Sequence, residues 1–132
     1  MKRMAILYFV TLAIMVPLDI LFLGFVARDF FKSQVGDMLG DLKLLPAIVF
    51  YLVYAAGIVV FVSAGLGDTP RTALLYGALF GAIAYATFDL TTLAILRHWT
   101  WSAAAVDVAW GAFVTAISAA GGLLAVLALE RT

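Results

Sequence analysis

Apolar residues fall into four long runs, at 4–26, 44–64, 72–96 and 103–129, separated by three gaps that hold most of the charge. About 20 apolar residues carry a helix across a bilayer, and each run is long enough. Backbone groups in lipid must be satisfied within the segment, which favours helices over open strands. The pattern therefore predicts an all-α fold, a bundle of four transmembrane helices. An even number of crossings puts both termini on the same side. The chain reads as one integral membrane domain over 1–132. Pro46 stands at the start of the second run, where its missing N–H costs nothing. Pro17 stands inside the first and is expected to kink it or free a carbonyl near Met15–Asp19.

The gaps have patterns of their own. Between 27 and 43, Phe30, Phe31, Val35, Met38, Leu39 and Leu42 alternate with charges at roughly helical spacing, which predicts a short helix lying at the interface. Trp99 and Trp101 flank the third gap as an aromatic belt does. Lys2, Arg3, Arg71 and Arg131 fall on the side of the termini, and Arg28, Lys32, Lys43 and Arg97 on the other. The tie leaves orientation undecided by positive charge, and the amino terminus beside Lys2 and Arg3 points to termini in the cytoplasm. The opening stretch mimics a signal peptide, but its apolar run outlasts an ordinary signal core and meets no clear cleavage site, so a retained first helix is expected.

Composition narrows the chemistry. The chain is 66% hydrophobic and 12% charged, where soluble domains are about 45–50% apolar and about 25% charged. A soluble fold of this size could not hide that much apolar surface. The net charge is zero, so there is no basic face to bind nucleic acid. Without cysteine there are no disulfides, thiolate metal sites or cysteine nucleophiles. The one histidine, His98, excludes multi-histidine metal centres and reads as an interfacial residue. No cofactor is expected, and a metal is left open.

Three acids lie within the spans, at Asp19, Asp89 and Asp107. Counted from Arg28, Arg97 and Trp101, all three sit roughly 9–14 Å inside the same boundary, at 1.5 Å of rise per residue. Their helical faces agree. Thr11, Met15 and Asp19 share one face, and Gly77, Gly81, Tyr85 and Asp89 recur every four residues on another. Asp107, Gly111, Val114, Ser118 and Gly122 form a third stripe, with Trp110 one turn from Asp107. The short third gap makes the last two helices antiparallel neighbours, so Asp89 and Asp107 are expected to face each other or a common cavity. Tyr51 and Tyr54 of the second helix match the acids in depth. No Lys or Arg lies within the spans to balance the acids. Desolvation then favours the protonated acid unless a cation comes from outside. The candidate ligand-binding set is Asp19, Asp89, Asp107, Tyr51, Tyr54, Tyr85, Thr92 and Trp110, with Arg97 and His98 able to reach inward. No residue is assigned as catalytic.

The stretches "DILFLG", "FYLVYAAGIVVF", "GALFGAIAYATFDLTTLAIL" and "DVAWG" resemble the domain-of-unknown-function 2177 family of small bacterial membrane proteins over nearly the whole chain. The resemblance implies a four-helix membrane protein of the bacterial inner membrane and brings no established activity. The family pattern favours Trp where this chain has Phe22 and Asn where it has Thr92.

Ionisable residues within spans are functional candidates by default. The acid layer suits a transporter-like or binding role for a proton, a cation or a small cationic or amphiphilic ligand, with Tyr and Trp available to stack on a cation. A structural role is the alternative for the acids themselves, with each protonated acid bonded to a neighbouring Tyr or Thr. For the whole chain, the alternatives are a non-catalytic subunit or assembly factor of a larger membrane complex, and an Asp-dependent enzyme acting on a lipid or isoprenoid. The reading leans away from an enzyme, because multi-aspartate metal motifs and a Ser–His–acid arrangement are missing. Besides the bilayer, a homodimer or a larger complex is an expected partner state, with pairing through Gly111, Ser118 and Gly122 or through Gly77 and Gly81; those two glycines also suit close helix packing.

Overall fold

A computed structural model describes residues 2–22, 24, 44–95 and 99–130. The interfacial helix expected within 27–43 lies outside the described residues, as do Arg97 and His98. Four helices make up the described fold, with no strand among the described residues: α1 (Lys2–Leu21), α2 (Leu44–Ile58, continuing as a π-helical stretch, Val59–Leu66), α3 (Pro70–Ile95) and α4 (Trp101–Glu130). Each is long and apolar enough to cross a membrane.

Helix starts are set by threonines, which explains why α3 and α4 begin a little earlier than hydropathy alone predicts. Thr69 caps α3: the Thr72 N–H donates to Thr69 Oγ1 at 3.2 Å, and the Thr69 N–H donates to Thr72 Oγ1 at 3.0 Å. This is a reciprocal cap with Thr in the usual Glu position, and Pro70 takes the first helical place, where it loses no bond. Thr100 caps α4 through the Ala103 N–H at 3.0 Å. Helix α2 ends at a turn where the Gly67 N–H donates to the Val62 carbonyl at 2.8 Å, five residues back. Helix α1 runs through Pro17 without a break. The carbonyl that the proline ring leaves without an amide donor belongs to Ala13, two residues before Met15.

Because these helices are apolar all round, hydrophobicity does not select their buried faces, and large side chains such as Leu7, Met15, Ile58 and Leu123 are buried as well. Large apolar residues such as Phe9, Val53, Phe61, Leu75 and Ile83 stay on the outside, where lipid solvates them at no cost. The interior is lined by small and polar groups, among them Thr11, Ala55, Ser63, Ala73, Gly77, Gly81, Gly111, Thr115, Ser118 and Ala119. Helix α4 is the spine of the bundle. It packs along α3 over the longest interface and along α1 over the next.

The α3–α4 interface is a backbone contact. A Cβ built on Gly77 would lie 2.8 Å from Ala116 Cα, and one on Gly81 would collide with the Gly111 carbonyl oxygen. In the other direction, a Cβ on Gly111 would run into the Tyr85 ring. On the α1 side, a Cβ on Gly122 would lie 2.7 Å from Thr11 Oγ1, and Ser118 is fully buried. The close packing expected of Gly77 and Gly81 is present, inside the chain. For the same reason these positions, with Gly111, Ser118 and Gly122, offer no free seam for a second copy, because helices of the same chain already occupy them. At the far end of the bundle, Arg3 Nε and Glu130 Oε2 pair at 3.3 Å, joining the start of α1 to the end of α4. Both side chains are about half exposed, so this pair contributes little.

Gly81→Ala is expected to lower stability by roughly 1–3 kcal/mol, the usual cost of overpacking, against the few tenths to 1 kcal/mol that alanine ordinarily adds to a helix. Gly57→Ala meets only the tip of the Phe80 ring at 3.3 Å and should be neutral or stabilising. Unfolding in mixed micelles with increasing SDS compares the two; equal effects would contradict the backbone contact.

Candidate functional site

The three acids are delivered to one region by three helices. Asp19 closes the buried stripe Leu7, Thr11, Met15, Asp19 of α1. Asp89 is six residues before the end of α3 at Ile95, and Asp107 is six residues after the start of α4 at Trp101. Antiparallel packing therefore sets both about 9 Å from one end of their hairpin. The glycine contact described above brings them together, and they are close electrostatic neighbours.

Their environments differ. Asp19 is 4% exposed. Its Oδ1 accepts a 2.6 Å hydrogen bond from Trp110 Nε1, while Oδ2 is buried without a hydrogen-bond partner. The Tyr51 side chain lies beside the same carboxyl. Trp110 is itself held flat against Phe22, with ring centroids 4.2 Å apart and planes 4° from parallel. Asp89 is 0% exposed, and neither of its oxygens reaches hydrogen-bond geometry; Asp107 and Trp99 are its polar neighbours. Asp107 is only partly buried. It is the acid with an open side.

Asp19, Tyr51, Tyr85, Asp107 and Trp110, together with Phe22, line a cavity of about 90 Å3. Five of the eight residues expected at the site thus meet at one cavity. The other three do not line it. Tyr54 is buried, with its hydroxyl 2.7 Å from Thr115 Oγ1 and its ring 6.1 Å from that of Tyr85, edge to face. Thr92 is buried one turn beyond Asp89 on α3. Asp89 borders Asp107 rather than the cavity itself. Sequence reasoning missed Phe22 as a wall and Thr115 as the partner of Tyr54. Phe22 is three residues after Asp19, and that helical spacing is a signal that could have found it. Thr115 carries no such signal, since the partners are 61 residues apart.

Among the described residues the basic side chains are Lys2, Arg3 and Arg71, all at the opposite end of the bundle, so none balances the acids. Among the same residues no three His, Cys, Asp or Glu side chains are grouped to hold a metal ion. The cavity therefore offers two carboxylates, one with a buried free oxygen, facing the rings of two tyrosines, a phenylalanine and a tryptophan. Such a box suits a compact cationic group, which gains from the charge and from the ring faces together.

The Trp110–Asp19 bond should be measurable as a coupling. A double-mutant cycle of Trp110→Phe with Asp19→Ala is expected to give about 0.6–1.7 kcal/mol, from the average to the largest value found for hydrogen bonds between membrane helices. Additivity of the two substitutions in SDS unfolding would count against it.

The family model described as "Predicted membrane protein (DUF2177)" matches residues 4–124. No curated protein and no solved structure matches the chain.

Proposed function

The chain belongs to the DUF2177 family of predicted membrane proteins, and from that premise we propose that its acid layer binds, and in a transport cycle would carry, a cationic group. The observation that carries this reading is the buried, unpartnered Oδ2 of Asp19 facing a cavity that Asp107 also lines, with no basic side chain among the described residues to balance either acid. A buried carboxylate with one oxygen left unpartnered is costly, and burial is tolerated when a proton or a cation balances it.

Roles follow from position. Asp107, with its open side, meets the incoming charge first. Asp19 receives it on the far wall, held in place by Trp110, whose own ring is fixed by stacking on Phe22. Tyr51 and Tyr85 supply ring faces. Asp89, enclosed behind Asp107, is the natural store for a displaced proton, since an arriving cation at Asp107 changes the charge that Asp89 feels across a short distance of low dielectric. Tyr54 and Thr92 act on the frame, Tyr54 by fastening α2 to α4 through Thr115. Sites in membrane proteins that pair an intramembrane acid with a cavity commonly lie on ion or substrate pathways. The inner membrane of a bacterium is the expected location, with the termini in the cytoplasm.

Tetramethylammonium is a suitable probe because it carries the charge and fits no hydrogen-bond scheme. In lipid nanodiscs at pH 7, it is expected to raise the melting temperature of the intact chain. Asp107→Asn should weaken binding at least tenfold and Asp19→Asn by a comparable factor, whereas Asp68→Asn, on the exposed turn before α3, should leave it unchanged. Unaltered binding in both intramembrane variants would sink the proposal.

A further inference from the structure

Tyr85 and Asp107 have a second side. Besides the small cavity, both line an apolar groove of about 400 Å3 whose other walls are Phe50, Ala84 and Phe88. Phe50 is 44% exposed and Phe88 56%, and both stand on the outer surface of membrane-spanning helices. Ala84 and Phe88 precede the end of α3 at Ile95 by eleven and seven residues, which places them about 16 and about 10 Å in from that end. The mouth of the groove consequently opens sideways, at the depth of the acyl chains, and not along the bundle axis toward water.

The polarity of this groove runs in one direction. Its outer part is two phenylalanine rings flanking a single small residue; its inner end is a carboxylate and a tyrosine that are also the wall of the acid cavity. A hydrated small ion would cross an apolar surface to reach Asp107 by this route, which is unfavourable. A molecule already dissolved in the bilayer meets no such barrier for its tail. The groove adds no hydrophobic affinity, since lipid is as apolar as the groove. Its contribution is orientation: a chain lying in the slot beside Ala84 points its polar end at Asp107 and, beyond it, at the free oxygen of Asp19. A groove of about 400 Å3 has room for one alkyl chain and not two.

We infer that the occupant is a single-chain alkylammonium that enters laterally from the bilayer, with its tail between Phe50 and Phe88 over Ala84 and its cationic head between Asp107 and Asp19. This rests on the acid cavity being a cation site, and it adds the route and the tail. The Tyr85 ring stands at the junction, where the tail ends and the charge begins.

Dodecyltrimethylammonium and tetramethylammonium separate the two ideas, with partition into empty phosphatidylcholine nanodiscs subtracted. Ala84→Phe fills the slot. It is expected to weaken dodecyltrimethylammonium at least tenfold while leaving tetramethylammonium within twofold, and Asp107→Asn should weaken both. Independently, a dodecylammonium carrying a diazirine near its tail end should label the peptides containing Phe50 and Phe88 in the unsubstituted protein. Tight binding of both cations with no effect of Ala84→Phe, or label spread evenly over the outer helix faces, would overturn the lateral groove and leave the cation site standing. If Ala84→Phe lowers both affinities alike, the position of the label decides between the two. Binding of neither cation removes the cation site, and the groove proposal with it.

Discussion

Where α3 crosses α4, the two backbones meet with only the hydrogens of Gly77, Gly81 and Gly111 between them. Lipid tails are as apolar as leucine, so membrane helices gain little by burying apolar faces against each other; dispersion at close range and interhelical hydrogen bonds must hold them. The glycines supply the close range. They also fix the translation of α3 against α4 to within a fraction of a turn, because any sliding would push a side chain into the opposing backbone. That single register places Tyr85 over Gly111 and Asp89 beside Asp107, and it leaves Thr115 where the hydroxyl of Tyr54 can reach it. Helix α2 is fastened to the pair through this hydroxyl contact, and α1 through Thr11 against Gly122 and Asp19 against Trp110.

The acid layer is thereby divided into unlike parts. Asp19 is anchored by a tryptophan that cannot swing, because a parallel ring lies against it. Asp89 is sealed. Asp107 faces both the polar cavity and the lipid-side groove. Three identical side chains at one depth thus differ in access and in partners. Uniformly sealed acids would be a structural feature, and uniformly open ones would be a vestibule.

Much of this was legible in the residues alone. Four apolar runs give four helices, and counting residues from the aromatic and basic boundaries puts the three aspartates in one layer. The recurrence of Gly77, Gly81, Tyr85 and Asp89 every four residues marks the face that α4 covers. What stayed hidden was the destination of each small residue. A glycine stripe that packs within a chain and one that pairs two chains have the same spacing, and only the fold shows that Gly111 is spent on Tyr85. The Trp110–Asp19 bond spans 91 residues, and its direction depends on the rotation of α1 about its axis, which an apolar-all-round helix does not encode in hydropathy. The threonine cap of α3 was written plainly in "TPRT", but hydrophobicity alone starts α3 and α4 two residues too late.

Helix α2 buries residues in adjacent pairs, 54 and 55, then 58 and 59, then 62 and 63. A regular α-helix sampled every four residues rotates by about 40° at each step, so a stripe of that period would soon wander off its neighbour. The wider winding from Val59, where bonds reach five residues instead of four, turns less per residue, until the backbone leaves helical geometry at Gly65. Rotation gained in the first half is given back in the second. The outcome is an edge two residues broad, held to α4 at one end by Tyr54 on Thr115 and at the other by Ser63 on the Ala119 carbonyl, so that the tyrosines stay turned toward the acids.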